Sequence, residues 1–378
     1  MQSREFGLKA PLRVLHVLGA LDRGGVERWL LGLLPRLDRS MWQFDFCVLG
    51  PGEGRDASRA RQWGSRVLHC PADPRWKSPA RLYRLFRSGG YDIVHSHVHH
   101  FSGVVLAAAR AAGLRARLAH SHNTHDGCPS TWPRALYRAS AAALLGRFAT
   151  HAAACTPQSA AALFAARRAE IVPYGLDGSL TDLYLAEDSA ALRGALGIAA
   201  TDTILGHVGR FDRQKNHDFL LDVALAMQPL RPGARWLLVG DGAGRSRLAR
   251  RAAALGLART VVFAGLRDDV PRLMQLAMDA FVFPSLHEGQ PLALLEAQAA
   301  GLRSVASARI SRQSAVVRGA VEFLPLEAGP RVWAERALAS ADAGRLPLAH
   351  AREQLLAAGL SLSSSLERLL ELYCRAAP

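Results

Sequence analysis

The fold is constrained most by a regular alternation of short apolar runs with longer segments of helical periodicity along the 378-residue chain. The runs in the first half are LRVLHVL, FDFCVLG, SRVLHC, DIVHSH, RLAHSH, THAAACT and AEIVPYG. Those in the second half are DTILGHVGR, RWLLVGDG, TVVFAG, DAFVFPS, SVASA and VEFLP. Short strands that alternate with helices indicate parallel sheets covered by helices on both faces. The sequence therefore predicts an α/β fold of two doubly wound domains.

The segment VPYGLDGSLTDLYLAEDS, rich in Gly and Asp, stands between the two sets of runs and marks the domain junction. We predict an N-terminal domain over residues 1–180 and a C-terminal domain over 181–358. Residues 359–378 form a separate final helix, LSSSLERLLELYCRA, with an apolar stripe of Leu362, Leu366, Leu369, Leu370 and Tyr373. Ligands of doubly wound sheets bind beyond the carboxyl ends of the strands, so polar residues there are the site candidates.

The chain carries 47 basic and 32 acidic residues, a formal net charge of +15. The excess is concentrated in residues 51–90, where Trp63 and Trp76 are interleaved with arginines. Within it, the helix SPARLYRLFRSG presents Leu82, Leu85 and Phe86 on one side and Arg81, Arg84 and Arg87 toward another. This pattern suits docking on an anionic membrane surface. Binding to nucleic acid and a merely solvated basic face are the alternatives.

No stretch of the sequence is long and uncharged enough for a spanning helix, and the N-terminus MQSREFGLKAPLR lacks the apolar core of a signal peptide. The five cysteines have no metal-ligand spacing and are interpreted as reduced thiols: Cys47, Cys70, Cys128, Cys155 and Cys374. These features predict a cytoplasmic protein.

Two glutamates frame the segment HEGQPLALLEAQAAG, Glu288 in a Gly/Pro turn and Glu296 in an Ala/Leu-rich helical run. Pro291 fits the first helical position, so the amides of residues 289 to 292 are predicted to point out of the helix start, where they attract phosphate. In a ligand whose phosphate binds at this helix start, Glu288 would accept hydrogen bonds from sugar hydroxyls and Glu296 would lie within reach of a ribose. The segment predicts a nucleotide-sugar site made by Glu288, Gly289, Gln290, Pro291, Leu292 and Glu296. The alternative is a surface helix with one N-terminal Glu favoured by the helix dipole and the other Glu solvated.

A basic pair follows another strand, in GRFDRQKN. Gly209 ends that strand, and Arg210 and Lys215 are placed to neutralise a diphosphate. No Asp-x-Asp pair is present, so we predict that no metal ion or cofactor takes part.

Glycine turns follow three further strands. Gly24 and Gly25 precede a helix after the first strand, and this helix start is predicted to face the phosphates of a donor or an acceptor. The spacing of the two glycines does not fit the G-x-G-x-x-G pattern of nicotinamide cofactors. Backbone at Gly240, Leu266 and Arg267 is a candidate border of a base pocket, because glycine allows close approach of a planar ring. Tight strand-to-helix turns are the alternative.

Seven histidines follow two successive strands, in DIVHSHVHH and RLAHSHNTH. We rank His120 first, because it closes its strand, and take His97, His122 and Asn123 as further sugar-binding candidates. Metal binding is the alternative, but no carboxylate or cysteine lies at ligand spacing among them.

Taken together, GGVERW, DIVHSH, RLAHSHNT, IVPYGLD, GRFDRQKN, LVGDGAG, FAGLRDDV and EGQPLALLEAQAAG resemble, in order and spacing, the family 4 retaining glycosyltransferases of the GT-B fold. HSHNT is most similar to the capsule and exopolysaccharide subgroup. The resemblance covers residues 12–376. It implies two Rossmann-like domains facing a cleft, with donor binding in the C-terminal domain, acceptor binding in the N-terminal domain, and a last helix that crosses back to the N-terminal domain.

The resemblance also implies roles. Arg210 and Lys215 hold the diphosphate of a UDP- or GDP-sugar, Glu288 contacts the donor sugar, Glu296 the ribose, and His120 the sugar at the reacting centre. The implied acceptor is a saccharide or a saccharide carried on a polyprenyl diphosphate, and the implied route to retention is front-face attack without an enzymic nucleophile. Gln290 and Tyr174 depart from the family pattern, since a bulkier apolar residue and Asn are common there.

Two alternative functions follow from other features of the chain. A nucleotide-sugar epimerase of the GT-B fold also binds a sugar nucleotide, but it lacks the paired carboxylates. A basic nucleic-acid-binding protein accounts for the charge but not for the cations and carboxylates, and no nucleic-acid motif is present.

Overall fold

The computed structural model describes residues 11–22, 24–74, 76–125, 131–165, 168–177, 183–184 and 188–377. The chain divides into two compact units. The first unit comprises Met1–Gly175 together with Leu362–Pro378, and the second comprises Leu176–Ser361. Cys128 lies outside the described residues, and among those described Cys47, Cys70, Cys155 and Cys374 are free thiols.

Over its described residues the first unit contains a seven-stranded sheet in the order β3-β2-β1-β4-β5-β6-β7, with every pair parallel. Its strands are β1 Leu12–Leu18, β2 Trp42–Val48, β3 Val67–His69, β4 Ile93–Ser96, β5 Ala116–Ser121, β6 His151–Ala154 and β7 Glu170–Ile171. Its helices are α1 Gly25–Leu33, α2 Ala57–Gln62, α3 Ser78–Gly89, α4 Ser102–Ala111, α5 Trp132–Phe148, α6 Pro157–Phe164 and α14 Leu362–Ala376.

The described part of the second unit contains a six-stranded parallel sheet in the order β10-β9-β8-β11-β12-β13. Its strands are β8 Ile204–Val208, β9 Arg235–Val239, β10 Val261–Gly265, β11 Ala280–Phe283, β12 Ser304–Ser307 and β13 Val321–Leu324. Its helices are α7 Asp188–Ala195, α8 His217–Met227, α9 Arg245–Ala254, α10 Val270–Arg272, α11 Leu292–Ala299, α12 Gly329–Asp342 and α13 Leu348–Ala357. All thirteen apolar runs of the sequence lie at strands, so the doubly wound α/β prediction is confirmed.

The strand order reverses once in each sheet, because β1 pairs with both β2 and β4, and β8 pairs with both β9 and β11. A crevice opens at such a reversal, beyond the carboxyl ends of the two central strands. Each unit therefore has one position where its topology favours a ligand site.

The final helix α14 packs within the first unit. Trp29 on α1 donates from Nε1 to the Ser365 hydroxyl at 2.8 Å, and that hydroxyl donates to the Pro173 carbonyl at 2.6 Å. The predicted apolar stripe is confirmed at Leu362, Leu366, Leu369 and Tyr373, which are buried, but Leu370 is only partly buried and Leu372 is buried in its place.

The helix α3 differs from its predicted use. Leu82 and Phe86 are buried in the core of the first unit, and Leu85 packs against the same core. The Arg81 guanidinium donates to the carbonyls of Pro71 and Asp73, both at 2.9 Å. The apolar stripe of α3 is thus core, as in the solvated-face alternative, and cannot itself enter a membrane. Within the described residues, no helix is both long enough and apolar enough to cross a membrane.

Candidate functional site

The first unit gathers five imidazoles on one face of its sheet, around the reversal between β1 and β4. His16 on β1 is paired in register with His95 on β4. His97 lies two residues after His95 of β4, and His122 lies two residues after His120 of β5. Alternate residues of an extended chain share a face. The repeated His-Ser-His pattern therefore places four of the imidazoles together, and β1 adds the fifth.

Hydrogen bonds join these imidazoles in two chains. In one, His16 Nδ1 lies 3.0 Å from His97 Nε2, His97 Nδ1 lies 2.7 Å from His122 Nε2, and His122 Nδ1 lies 2.7 Å from the Tyr174 hydroxyl. In the other, the hydroxyl of Tyr373 on α14 lies 2.6 Å from Nδ1 of His95, whose Nε2 is 3.2 Å from His120 Nδ1. Each chain ends on a tyrosine, which fixes ring orientations without adding charge.

Burial keeps the cluster neutral. Desolvation lowers the pKa of His16 and of His120 to about 3. It also lowers the pKa values of His95, His97 and His122 well below the ordinary value, and the neighbouring imidazoles add to this shift because protonation of one disfavours protonation of the next. At neutral pH these rings bind through hydrogen bonds or lone pairs, not as cations.

His120 is, with His16, one of two cluster members whose Nε2 is buried without a hydrogen-bond partner among the described residues. The side chain of His120 is fully buried, and its ring stacks on that of His122 with centroids 4.1 Å apart. A buried polar atom such as His120 Nε2 is costly unless something pairs with it. The rings of His97 and His122 lie beside it, and the Asn123 side chain, which follows His122, accepts a hydrogen bond from the Thr124 amide.

The same imidazoles have the geometry of a metal site. Among the described residues, His97, His120 and His122 have ring nitrogens within 4.8 Å of one another, as do His16, His95 and His97. Neutral imidazole is a common ligand of zinc and related ions. The metal alternative raised by the sequence is therefore sterically reasonable at this cluster.

Several members of the cluster were not predicted. His16 lies inside an apolar strand, and a lone polar residue at a buried strand position was the available signal. Tyr174 was noted only because the family commonly has Asn at this position. In the structure its hydroxyl ends one of the two imidazole chains by its hydrogen bond with His122. Tyr373 was assigned to the apolar stripe of α14, where its ring is indeed buried while its hydroxyl bonds His95.

In the second unit, the loops after β8 and β9 pack closely together. Gly240 has φ +136°, and a Cβ added there would lie 2.1 Å from the Gly209 carbonyl oxygen. The Gly209 amide donates to the Val239 carbonyl at 3.0 Å. The close packing of the two loops is by itself enough to require glycine at position 240, whether or not a ligand binds there. The same packing brings the two predicted site loops together.

Lys215 and Glu288 form an ion pair at the reversal between β8 and β11. Lys215 Nζ lies 2.7 Å from Glu288 Oε1, and their side chains are only 17% and 8% exposed. Gln214 donates to Glu288 Oε2 at 3.1 Å and to the His287 carbonyl at 2.8 Å. The ammonium also lies 4.8 Å from the centre of the Phe283 ring. The two residues were predicted to bind different parts of one ligand, and the structure shows that they contact each other.

Arg210, which was predicted as a cation, and Arg267, which was predicted to contribute its backbone, both have acidic neighbours. Arg210 Nε lies 3.1 Å from Asp212 Oδ2, and its side chain is 66% exposed. Arg267 forms two hydrogen bonds of 2.7 Å with Asp269, which raise the pKa of the arginine and lower that of the aspartate. Arg210 is therefore the more accessible cation, whereas Arg267 is held in a local bidentate pair.

The start of α11 departs slightly from the sequence prediction. The helix begins at Leu292 with Pro291 one residue earlier, and the Leu292 amide donates to the Gln290 carbonyl at 3.0 Å. That amide is used inside the turn and does not point outward as predicted, because the turn closes on itself before the helix. Gly289 and Gln290 form the turn between Glu288 and Pro291.

The two glutamates that frame this segment are buried. Glu288 is 7% exposed and Glu296 is 4% exposed, so the alternative of a solvated surface helix is wrong.

The glycine pair after β1 lies where predicted. Gly25 is the first residue of α1 and Gly24 precedes it, with the acidic Glu27 in the first helical turn. An acid at that position interacts favourably with the helix dipole and competes with an incoming anion. This start is therefore less suited to phosphate than predicted.

Comparison with known proteins identifies the family. Residues 24–175 match the model for the glycosyl transferase 4-like domain, and residues 188–324 match that for glycosyl transferases group 1. EpsF of Bacillus subtilis (strain 168), which is named as a glycosyltransferase, is 32% identical over 373 residues, 96% of each chain. The chain belongs to the family 4 glycosyltransferases of the GT-B fold.

Further relatives agree with this assignment. An Escherichia coli enzyme, UDP-Gal:alpha-D-GlcNAc-diphosphoundecaprenol alpha-1,3-galactosyltransferase, is 29% identical to this glycosyltransferase over 247 residues, 61% of each chain. The solved structure of Anabaena HepE with UDP and glucose has a TM-score of 0.76 at 21% identity, and covers 96% of this chain and 100% of that one. This likeness confirms the GT-B fold.

Proposed function

We propose that this glycosyltransferase moves a sugar, with retention of configuration and without a metal ion, from a UDP- or GDP-sugar to a saccharide on a polyprenyl diphosphate, in cell-surface polysaccharide synthesis. The observation that carries the proposal is the secluded Lys215–Glu288 pair beside the start of α11. The name of the Escherichia coli relative, with a UDP-sugar donor and a diphosphoundecaprenol acceptor, supports the substrate classes.

Donor binding draws on both charges of the pair. A diphosphate that approaches Lys215 and Arg210 supplies the negative charge that Glu288 now supplies to the lysine, so Glu288 becomes available to accept hydrogen bonds from sugar hydroxyls. Because the pair is largely shielded from water, its electrostatic interactions are stronger than at an open surface. Two cations then stabilise the leaving diphosphate, a task that a metal ion performs in other enzymes. Glu296, four residues into α11, binds the ribose.

The N-terminal unit supplies the uncharged partners. His120 Nε2, buried without a partner among the described residues, bonds the sugar at the reacting centre. His97, His122 and Asn123 are the acceptor-side groups. Neutral rings suit this task, because a hydroxyl both donates and accepts, and each imidazole offers one lone pair and one N–H.

Retention follows from attack on the same face that the diphosphate leaves. The acceptor oxygen forms its bond to the anomeric carbon as the bond to the phosphate oxygen breaks, and the acceptor proton passes to that phosphate oxygen. No covalent intermediate with the protein is formed in this step. The protein's work is positioning and charge stabilisation.

We propose that the reaction takes place in the cytoplasm, at the inner face of the cytoplasmic membrane. The donor is a soluble nucleotide, whereas a polyprenyl-linked acceptor stays in the lipid. The excess positive charge of +15 favours approach to anionic lipid.

The test is a donor and acceptor screen with purified protein. UDP-, GDP- and ADP-sugars are each incubated with a polyprenyl-diphosphate-linked saccharide, and NMR gives the anomeric configuration of the product. Transfer with retention in the presence of a chelator supports the proposal. Isomerised donor without transfer contradicts it in favour of an epimerase, and salt-sensitive RNA binding without nucleotide-sugar affinity contradicts it in favour of a nucleic-acid-binding protein. Inverted product overturns the retaining mechanism.

A further inference from the structure

The imidazole cluster of the first unit contains two groups of three rings, and one of them is open to solvent. The outer triad is His97, His120 and His122, and the inner triad is His16, His95 and His97. His16 and His95 are fully buried, whereas His122 is only partly buried. A metal ion needs an entry path as well as ligands. Between the two groups, the outer triad is therefore the better candidate for a metal site.

One nitrogen of the outer triad is available without the loss of a hydrogen bond. His120 is fully buried, and its Nε2 has no hydrogen-bond partner among the described residues. The ring of His120 stacks on that of His122 with centroids 4.1 Å apart and lies 5.6 Å from that of His97. A buried polar atom without a partner is costly, and an ion bound to it removes that cost.

The other two ligand atoms of the outer triad face each other. His97 Nδ1 lies 2.7 Å from His122 Nε2 in a hydrogen bond. Zinc–nitrogen bonds of about 2.0 to 2.1 Å in a tetrahedral site place ligand nitrogens about 3.3 Å apart. Entry of an ion thus requires these two atoms to separate by about half an ångström. The ring of His122 is the one that can make this shift, because it is partly exposed. One hydrogen bond is lost and two coordinate bonds replace it.

The second nitrogen of each ring already has a hydrogen-bond partner. His97 Nε2 lies 3.0 Å from His16 Nδ1, His120 Nδ1 lies 3.2 Å from His95 Nε2, and His122 Nδ1 lies 2.7 Å from the Tyr174 hydroxyl. Histidines that bind metal ions donate their second N–H to such a partner, which fixes the tautomer and directs the lone pair. Each neutral ring keeps its one proton on this second nitrogen and gives its lone pair to the ion, so no proton has to leave the protein.

The ligand set selects the kind of metal. The outer triad offers three nitrogens and no carboxylate, which suits zinc and the neighbouring transition-metal ions, whereas magnesium and calcium prefer oxygen ligands. Three histidines leave the fourth position of a tetrahedral site open. We propose that the outer triad binds one zinc ion through His97 Nδ1, His120 Nε2 and His122 Nε2, with solvent in the fourth position.

Zinc at the outer triad would inhibit sugar transfer, and this effect rests on the proposed function. There, His120 Nε2 bonds the sugar at the reacting centre, and His97 and His122 are acceptor-side groups. An ion that occupies these three nitrogens prevents them from bonding hydroxyl groups. Zinc is therefore a competitor of the sugars, and it takes no part in the metal-free reaction.

Zinc binding by tag-free protein tests the site. Protein stripped of metal is titrated with ZnCl2 in competition with a chromogenic chelator, and X-ray absorption of the loaded protein identifies the ligand atoms. His122→Gln removes one ligand, and His350→Gln, at an exposed histidine on α13 of the second unit, is the matched control. His16→Phe keeps the outer triad and removes one member of the inner triad. Circular dichroism confirms that each variant is folded.

We expect wild type and His350→Gln to bind one equivalent of zinc through three nitrogens at about 2.0 to 2.1 Å. His16→Phe, which removes only the partner of His97, should weaken binding about tenfold, and His122→Gln by more than about 100-fold. Zinc held by sulfur, at about 2.3 Å, would place the ion on cysteines and overturn the proposal. Wild-type affinity in His122→Gln also overturns it, as does loss of binding in His16→Phe alone, which would place the ion in the inner triad.

Transfer rates separate the metal site from the proposed function. In wild type and in His350→Gln, rates should fall in proportion to zinc occupancy and return when a chelator is added. Active transfer by protein that binds no zinc overturns the metal site and leaves the proposed function intact. Zinc bound at the three nitrogens without loss of transfer would overturn the inhibition, and with it the role that the proposed function gives to His120.

Discussion

The two units have the same topological crevice and fill it with opposite chemistry. At the β1/β4 reversal, the side chains are neutral imidazoles, most of them on the strands themselves. At the β8/β11 reversal, they are charged and come from loops, with Lys215 and Glu288 at 2.7 Å. Topology therefore determines where each candidate site lies, and residue type determines which ligands it suits. A neutral site suits hydroxyl groups, whereas a charged one suits phosphate.

The two sites also differ in how they are held. His95 and His120 are positioned by β-sheet register and by Tyr373 from α14, so their rings have little freedom. Glu288 is held by Gln214 and Lys215 from the loop after β8. An ion pair of this kind can exchange partners when a diphosphate arrives. The predictions below test whether the neutral and charged sites are really distinct in role.

The largest effect is expected for Lys215→Ala. Lys215 is one of the two cations that we propose stabilise the leaving diphosphate, so its loss should lower kcat by about 10²- to 10³-fold, and Arg210→Ala should act in the same direction. Lys77→Ala, which changes a lysine outside the charged site, is the control for initial rates. Near-normal rates in both variants, together with wild-type activity that a chelator abolishes, would place charge stabilisation on a metal ion, for which the histidine cluster provides ligands.

Acidification should weaken the neutral site more than the charged one. Because the pKa values of His16 and His120 are lowered to about 3 in the folded state, the unfolded state binds the extra protons, and stability is lost as pH falls below about 6.5. At pH 5.5 each group should cost about 1.4 kcal/mol relative to neutral pH. In the second unit, burial lowers the pKa of His207 well below its ordinary value and that of His217 to about 4. Fewer histidines of this unit therefore contribute to the loss of stability in acid.

Hydrogen exchange resolved by unit measures this difference between pH 7.5 and 5.5, after correction for intrinsic exchange. His16→Phe is a matched variant, because it removes one titrating group and keeps an aromatic ring between Phe44 and Phe46. It should reduce the acid sensitivity of the first unit. Greater acid loss of protection in the second unit would show that the imidazole cluster does not dominate.

The carboxylates of the charged site should differ from each other. Glu288→Gln should lower turnover more than it weakens nucleotide binding, because its proposed partner is the sugar. Glu296→Ala should weaken nucleoside diphosphate binding by about tenfold, the cost of one hydrogen-bonded charged contact. Calorimetric titration with the nucleoside diphosphate and measurement of initial rates test these separate roles of Glu288 and Glu296. Equal effects of the two variants on diphosphate affinity would refute them.

The sequence predicted local features well and contacts between distant segments poorly. The strands follow from short-range apolar patterns, and the His-Ser-His repeats signal one shared face. The direct contact of Lys215 with Glu288 was not predicted, because the two residues are 73 positions apart and meet only through the pairing of β8 with β11. His16 was missed for the same reason, since it joins the cluster only through the register of β1 with β4.

The smallest effect is expected for removal of the tyrosine hydroxyls that end the two imidazole chains. Tyr373→Phe keeps the ring in its contacts with Trp42 and Phe44 but leaves His95 Nδ1, which is fully buried, without its partner. We expect a loss of about 1 to 2 kcal/mol in the free energy of unfolding. Tyr174→Phe should cost less, because its partner His122 is only partly buried and water can replace the hydroxyl. Urea denaturation of both variants measures the difference. If Tyr174→Phe is the more destabilising, the chain through His97 is the one that holds the neutral site together, and Tyr373 contributes packing alone.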